Sequence, residues 1–274
     1  MTEQEILLFI ENITQLAFDN DKRNGNDIQP CVLNSTKWTN KDIDNLPEDF
    51  DWQLFWYTCK KYYPLHSVAG GYMCNSEETI KEIEYNRIPI NDLMGCIDKP
   101  KGKKVLEIGY GYGGAAKRFH EYGFKYTGID YVSSGDIKNE KKYGKFIEID
   151  KSGIPESLFV YNSFDLVFST NTFQHLTRQQ RIEYYKQIYE VLNTNGVFCF
   201  DLFTRNEAEL EKFYAKEENK DNAYACNFFQ VHTSVPSLCD VLDVLQKIGF
   251  KIEKVNNHLL EDTRTFWTTF IVKK

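Results

Sequence analysis

The stretch VLEIGYGYGGAAKRF, Val105 to Phe119, holds the residues best placed to do chemistry. An apolar run ends in Gly109, Gly111, Gly113 and Gly114 and gives way to a helix-forming segment. Glycine lets the main chain turn sharply and lets a ligand approach the peptide groups. The spacing has two parses. Gly109, Gly111 and Gly114 fit G-x-G-x-x-G, the fingerprint of a dinucleotide site that serves hydride transfer. Glu107, Gly109, Gly111 and Gly113 fit an acidic-x-G-x-G-x-G pattern, which serves a different nucleoside-bearing cofactor.

Residues further along separate the two. Asp130 closes KYTGID, roughly 20 residues past the first glycine, where an acid accepts from ribose hydroxyls. Both parses accept it. Asp150 closes KFIEID, where an acid can read the amine of an adenine; a dinucleotide enzyme has less use for it. Its alternative reading is a turn aspartate before Gly153. FDLVFSTNTFQHL carries a strand into Ser169, Thr170 and Asn171, and then into Gln174 and His175.

These residues need a scaffold that brings strand ends together. Short apolar runs at KVLEIG, KYTGID, KFIEID, FDLVFST, GVFCFDL, FKIEKVNNH and TFWTTFIVK read as strands. GAAKRFHEY, TRQQRIEYYKQIYEVL and PSLCDVLDVLQKI read as helices. Strands separated by helices pair in parallel through right-handed crossovers. The last two strands are joined without a helix and should pair antiparallel. The expected fold is α/β, a doubly wound, mostly parallel seven-stranded sheet with one antiparallel strand, plus an N-terminal helical cap. The cap occupies residues 1–100 and the sheet domain 101–274, with an insertion at about 204–235. In the cap, SEETIKEIEYNRIPINDLMGCI has helical spacing with Ser76 at the N-cap position, and DWQLFWYTCKKYY reads as an aromatic helix. Thr2 and Glu5 have capping-box spacing.

Taken in order, these segments resemble the motifs of class I S-adenosylmethionine-dependent methyltransferases of the small-molecule type. LEIGYGYGG is similar to their first motif, YTGID to the second, FIEID to the third, FDLVFSTNTFQHL to the fourth and LNTNGVFCFDLF to the next. The resemblance covers about residues 103–202 and implies a Rossmann-like fold and the cofactor S-adenosylmethionine, leaving S-adenosylhomocysteine as product. It implies that the main chain of Gly109, Tyr110, Gly111 and Gly113 approaches the methionine part. It further implies that Glu107 steadies the loop, that Asp130 holds the ribose with Tyr131 beside the adenine, and that Asp150 and Lys151 read the adenine edge. Ser169, Thr170 and Asn171 then face the methionine end. Asn195 stands where the family often has proline or glycine, and a turn tolerates it.

Transfer from a sulfonium requires an acceptor held in line with the methyl group and, for an alcohol or a protonated amine, a base. His175, beyond the fourth strand, is the first candidate, and His232 after ACNFFQVH the second; His66 is weaker. Tyr72 in AGGYM is placed to close over the cofactor, and Trp56, Tyr57, Tyr62 and Tyr63 to shape an acceptor pocket or to pack a core. The net charge of −7 argues against a nucleic-acid partner, which calls for clustered Lys and Arg. Seven cysteines form no C-x-x-C and no zinc spacing, so no metal and a reducing, cytoplasmic setting are expected. The N-terminus lacks a basic leader and no run is long enough to span a bilayer. The reading is a methyltransferase acting on an oxygen or nitrogen of a small polar metabolite, as a monomer or homodimer. Family habit suggests a sugar or surface-polysaccharide precursor. The alternatives are an NAD(P)-dependent oxidoreductase and a non-catalytic module that binds a partner.

Overall fold

Alternation along the strands of this computed structural model sends neighbouring side chains to opposite faces of one sheet. The structure describes residues 2, 4–8, 54, 58, 77–131, 137–149, 153–160, 163–176, 178–204, 236–260 and 265–274. Val105, Leu166, Phe168, Val197, Cys199 and Ile271 face one layer, together with Ile90, Leu93, Ala115, Ala116 and Phe119. Leu106, Val167, Phe198, Phe200, Phe270 and Val272 face the other, together with Tyr184, Ile188, Val241 and Leu245. Phe198, Phe200 and Phe270 stack in series, at centroid separations of 4.5 and 4.8 Å. Each such buried ring contributes about 1.5–3 kcal/mol. These three rings thus serve the core.

The elements are α1 (Glu77–Arg87), α2 (Ile90–Cys96), β1 (Lys104–Ile108), α3 (Gly114–Glu121), β2 (Lys125–Asp130), β3 (Gly144–Glu148), β4 (Phe164–Ser169), α4 (Arg178–Val191), β5 (Leu192–Thr204), α5 (Leu238–Ile248), β6 (Lys251–Leu260) and β7 (Thr265–Lys273). Strand order is β3-β2-β1-β4-β5-β7-β6. β7 runs antiparallel to both of its neighbours, β5 and β6, and the remaining pairs are parallel. The expected seven-stranded, doubly wound sheet with one antiparallel strand is therefore the observed one. Strand order reverses direction between β1 and β4, and ligands of such sheets bind beyond the carboxyl ends at that switch.

Two expectations change in detail. The span read as one helix from Glu77 to Cys96 is broken into α1 and α2 at Ile88–Pro89. Proline lacks an N–H, and its ring disfavours helical backbone in the residue before it. β5 begins at Leu192, earlier than the expected GVFCFDL, with a positive φ of 64° at Asn195. The Asn195 N–H donates to the Lys274 carbonyl at 3.2 Å, so the turn is tied to the end of the chain. The capping box forms as read: the Thr2 N–H donates to Glu5 Oε2 at 2.7 Å, and the Glu5 N–H donates to Thr2 Oγ1 at 3.3 Å. In the aromatic helical segment, Leu54 and Thr58 are helical, and the Thr58 hydroxyl donates to the Leu54 carbonyl at 2.7 Å. The rest of that segment, Ser76 and the insertion from 205 to 235 lie outside the described residues.

α1 and α2 pack on the sheet domain rather than stand apart. Arg118 of α3 stacks 4.5 Å over the Tyr85 ring of α1 and donates to its hydroxyl at 2.7 Å. Tyr85 in turn donates to Glu121 at 2.6 Å. Asp92 of α2 accepts from Lys254 at 2.6 Å and from Asn256 at 3.0 Å, both on β6.

Candidate active site

The site is built on the carboxyl ends of β2, β1 and β4, which are adjacent in the sheet. After β1, Gly109, Gly111 and Gly113 adopt φ of 81°, 54° and 81°. At Gly109, space as well as backbone angle demands glycine. A Cβ on Gly109 would run into the Thr172 hydroxyl, and one on Gly111 would lie 2.5 Å from Glu84 Oε1. The loop's amides are all committed inside the protein. The Gly109 and Tyr110 N–H groups donate to the Ile129 carbonyl at 2.8 and 3.4 Å, and Gly113 to the Tyr110 carbonyl at 2.7 Å. Gly111 donates to Asp130 Oδ2 at 2.9 Å. Tyr112 and Gly114 donate to the two oxygens of Glu84, at 2.9 and 2.7 Å.

Asp130 is buried at the end of β2, and its Oδ1 accepts from the Tyr131 N–H at 2.7 Å. A carboxyl group accepts at both oxygens, which suits this position to hydroxyl donors. Glu107 lies beneath the loop, 2% exposed, and accepts a hydrogen bond from the Tyr126 hydroxyl of β2. Burial pushes its pKa well above the usual carboxylate range; the Tyr126 hydrogen bond opposes this, and the charges of Glu84 and Asp130 add to it. Glu84 and Asp130 thus bring two further carboxyl groups to the glycine loop, both accepting from its amides.

Beyond β4, the Ser169 hydroxyl donates to the Ile108 carbonyl at 2.8 Å and so ties β4 to β1. Thr172 donates to the same carbonyl at 3.2 Å. Asn171 takes a positive φ of 55°, and its N–H donates to Asp201 Oδ1 at 2.7 Å; the Thr170 hydroxyl donates to the other oxygen of Asp201. Asp201, on β5, is buried. Its pKa is pushed up to about 6 by burial, against the pull of these two hydrogen bonds and of the Arg87 charge.

Residues 106–200 match the family model for a methyltransferase domain. That match spans the glycine loop, Asp130 and the β4 end. The chain carries a class I S-adenosylmethionine-dependent methyltransferase domain. It is 25% identical over 190 residues to a phosphoethanolamine N-methyltransferase of Plasmodium falciparum, covering 66% of this chain and 71% of that one. It is also 25% identical over 176 residues to a sterol 24-C-methyltransferase of Yarrowia lipolytica, covering 61% of this chain and 44% of that one. A Haemonchus contortus phosphoethanolamine N-methyltransferase 2, solved with phosphomonomethylethanolamine and S-adenosylhomocysteine, shares the fold. Its TM-score is 0.56 at 17% identity, with 84% of this chain and 61% of that chain covered. This chain therefore spans less than two thirds of the length of the Haemonchus protein and of the Yarrowia relative.

The cofactor of the methyltransferase domain is S-adenosylmethionine. The residues present fit it, with a glycine loop free of Cβ atoms at its tightest points and an acid at the end of β2. The structure brings Glu107, Gly109, Gly111, Gly113, Asp130, Tyr131, Ser169, Thr170 and Asn171 to the ends of three neighbouring strands. Tyr110 offers its main chain only, since its ring is buried edge-on against Phe146 at 5.1 Å. His175 closes the short 3-10 turn Phe173–His175 directly after β4, and its side chain lies outside the described residues. Tyr72, Asp150, Lys151, His232, Trp56, Tyr57, Tyr62, Tyr63 and His66 also lie outside them. Sequence reasoning missed Glu84, Thr172 and Asp201. Only Asp201 carried a signal, as a lone acid inside the buried run GVFCFDLF. Among the described residues no cluster suits a metal ion, and no helix is long and apolar enough to cross a membrane.

Proposed function

We propose that this enzyme methylates the nitrogen of a small phosphorylated amino alcohol, phosphoethanolamine or one of its partly methylated forms. The support is the Plasmodium relative, which aligns over 66% of the chain and bears that activity in its name. The cofactor supplies an electrophilic methyl on a sulfonium. The protein's own work is to hold donor and acceptor in line, to exclude water, and to take a proton from an ammonium acceptor. Asp130 receives the ribose hydroxyls, and the turn Ser169–Asn171, fixed by Asp201 and by the Ile108 carbonyl, forms the wall beside the transferred group. His175 is the proposed base, because its turn continues directly from that wall and an imidazole titrates near neutrality.

Incubation with methyl-labelled cofactor and separate acceptors tests this. Phosphoethanolamine should gain label, while ethanolamine, a sugar nucleotide and a sterol should not. Label in the sugar nucleotide or the sterol, with none in phosphoethanolamine, would overturn the acceptor class. His175→Ala should lower kcat about 100-fold or more and leave S-adenosylhomocysteine affinity within about twofold. Equal losses in both would make His175 a binding residue.

A further inference from the structure

Glu84 stands on α1, outside the matched family segment, yet both of its carboxyl oxygens accept from amides at the cofactor loop. Its Oε1 accepts from the Tyr112 N–H at 2.9 Å, and its Oε2 accepts from the Gly114 N–H at 2.7 Å. The Gly114 amide opens α3 and the Tyr112 amide lies just before its N-cap, Gly113, which has no side chain with which to cap the helix. The start of a helix carries unpaired N–H groups and the positive end of the helix dipole, and in dinucleotide enzymes that end receives the pyrophosphate. Here a carboxylate of the protein already fills it. Lys81, on the same face of α1, brings its carbonyl against Gly114 where a Cβ would stand, so the two main chains meet with no room between them.

We propose that Glu84 is a specificity and positioning residue for the cofactor loop: it seals the anion-binding end of α3, so that the loop refuses a diphosphate and is held in shape for the sulfonium cofactor. This rests on the cofactor assignment above and extends it to a residue of the N-terminal region. A carboxylate at this position repels phosphate directly, and it also removes the two donors that phosphate would need. With Gly111 committed to Asp130, the loop then meets its ligand through shape and acceptors rather than through free N–H groups.

The test uses calorimetry on the full chain, with S-adenosylhomocysteine and inorganic pyrophosphate as titrants, for wild type, Glu84→Gln, Glu84→Ala and Tyr85→Phe. Tyr85 lies on the same helix and bonds Arg118 and Glu121 but not the loop, so it reports on helix docking alone. Expected is about tenfold or greater loss of S-adenosylhomocysteine affinity in Glu84→Gln. Tyr85→Phe should melt at a lower temperature while binding within about twofold of wild type. Glu84→Ala should gain measurable pyrophosphate affinity that wild type lacks. Wild-type affinity for S-adenosylhomocysteine in a folded Glu84→Gln overturns the positioning role, as does an equal loss in Tyr85→Phe. A folded Glu84→Ala that still ignores pyrophosphate overturns the exclusion role. Should wild type itself bind no S-adenosylhomocysteine, the cofactor assignment falls and the inference with it, which is a different result from equal binding by wild type and variant.

Discussion

Asp201 shows how much one buried acid can set. It fixes Thr170 and Asn171 and does so as a carboxyl whose pKa is raised to about 6. The folded protein therefore holds its proton more tightly than the unfolded chain does, for which the value lies near 4. The resulting stability is fully present below about pH 4 and is lost as pH rises through about 6. At 1.36 kcal/mol per pKa unit, the change amounts to about 2–3 kcal/mol. Asp201→Asn does not titrate and keeps partners for both groups, since the hydroxyl of Thr170 can turn to accept. The difference in unfolding free energy between variant and wild type should shift toward the variant by about that amount between pH 4 and pH 7, measured by urea denaturation. Glu107, also raised, is common to both proteins and cancels. A difference that does not vary with pH would contradict the assignment.

The elements were largely legible because their signals are local. The glycine turn, Asp130 at the end of its strand and the antiparallel pairing of the last two strands are patterns within a few residues, and each came out as read. What escaped was long-range. Glu84 reaches amides 28 and 30 residues away, and Asp201 reaches an amide 30 residues away. No spacing rule connects residues that meet only once the sheet has formed. The break at Pro89 was a local signal outweighed by the helical periodicity on either side of it. α5 illustrates the local case energetically. The hydroxyl of Ser237, its N-cap, accepts from the Asp240 N–H at 3.0 Å, and the helix ends on Gly249 with a positive φ of 119°. Ser237→Ala should cost about 1 kcal/mol, read as a lower urea midpoint with an unchanged slope. No shift in midpoint would mean that the cap is satisfied some other way.

At the scale of the whole molecule, the site is a consequence of strand order. The reversal between β1 and β4 opens the cleft. The neighbouring ends of β2 and β4 bring Asp130 and Ser169–Asn171 to the glycine loop, and α1 closes the loop's far side through Glu84. The ambiguity of the glycine pattern ends there, since the helix start that a pyrophosphate would occupy is held by a carboxylate. Calorimetric titration of the unmodified chain with S-adenosylhomocysteine, and separately with NADH, tests this most directly. The account predicts saturable binding of S-adenosylhomocysteine at one site per chain and no heat from NADH. Binding of NADH with none of S-adenosylhomocysteine would contradict it.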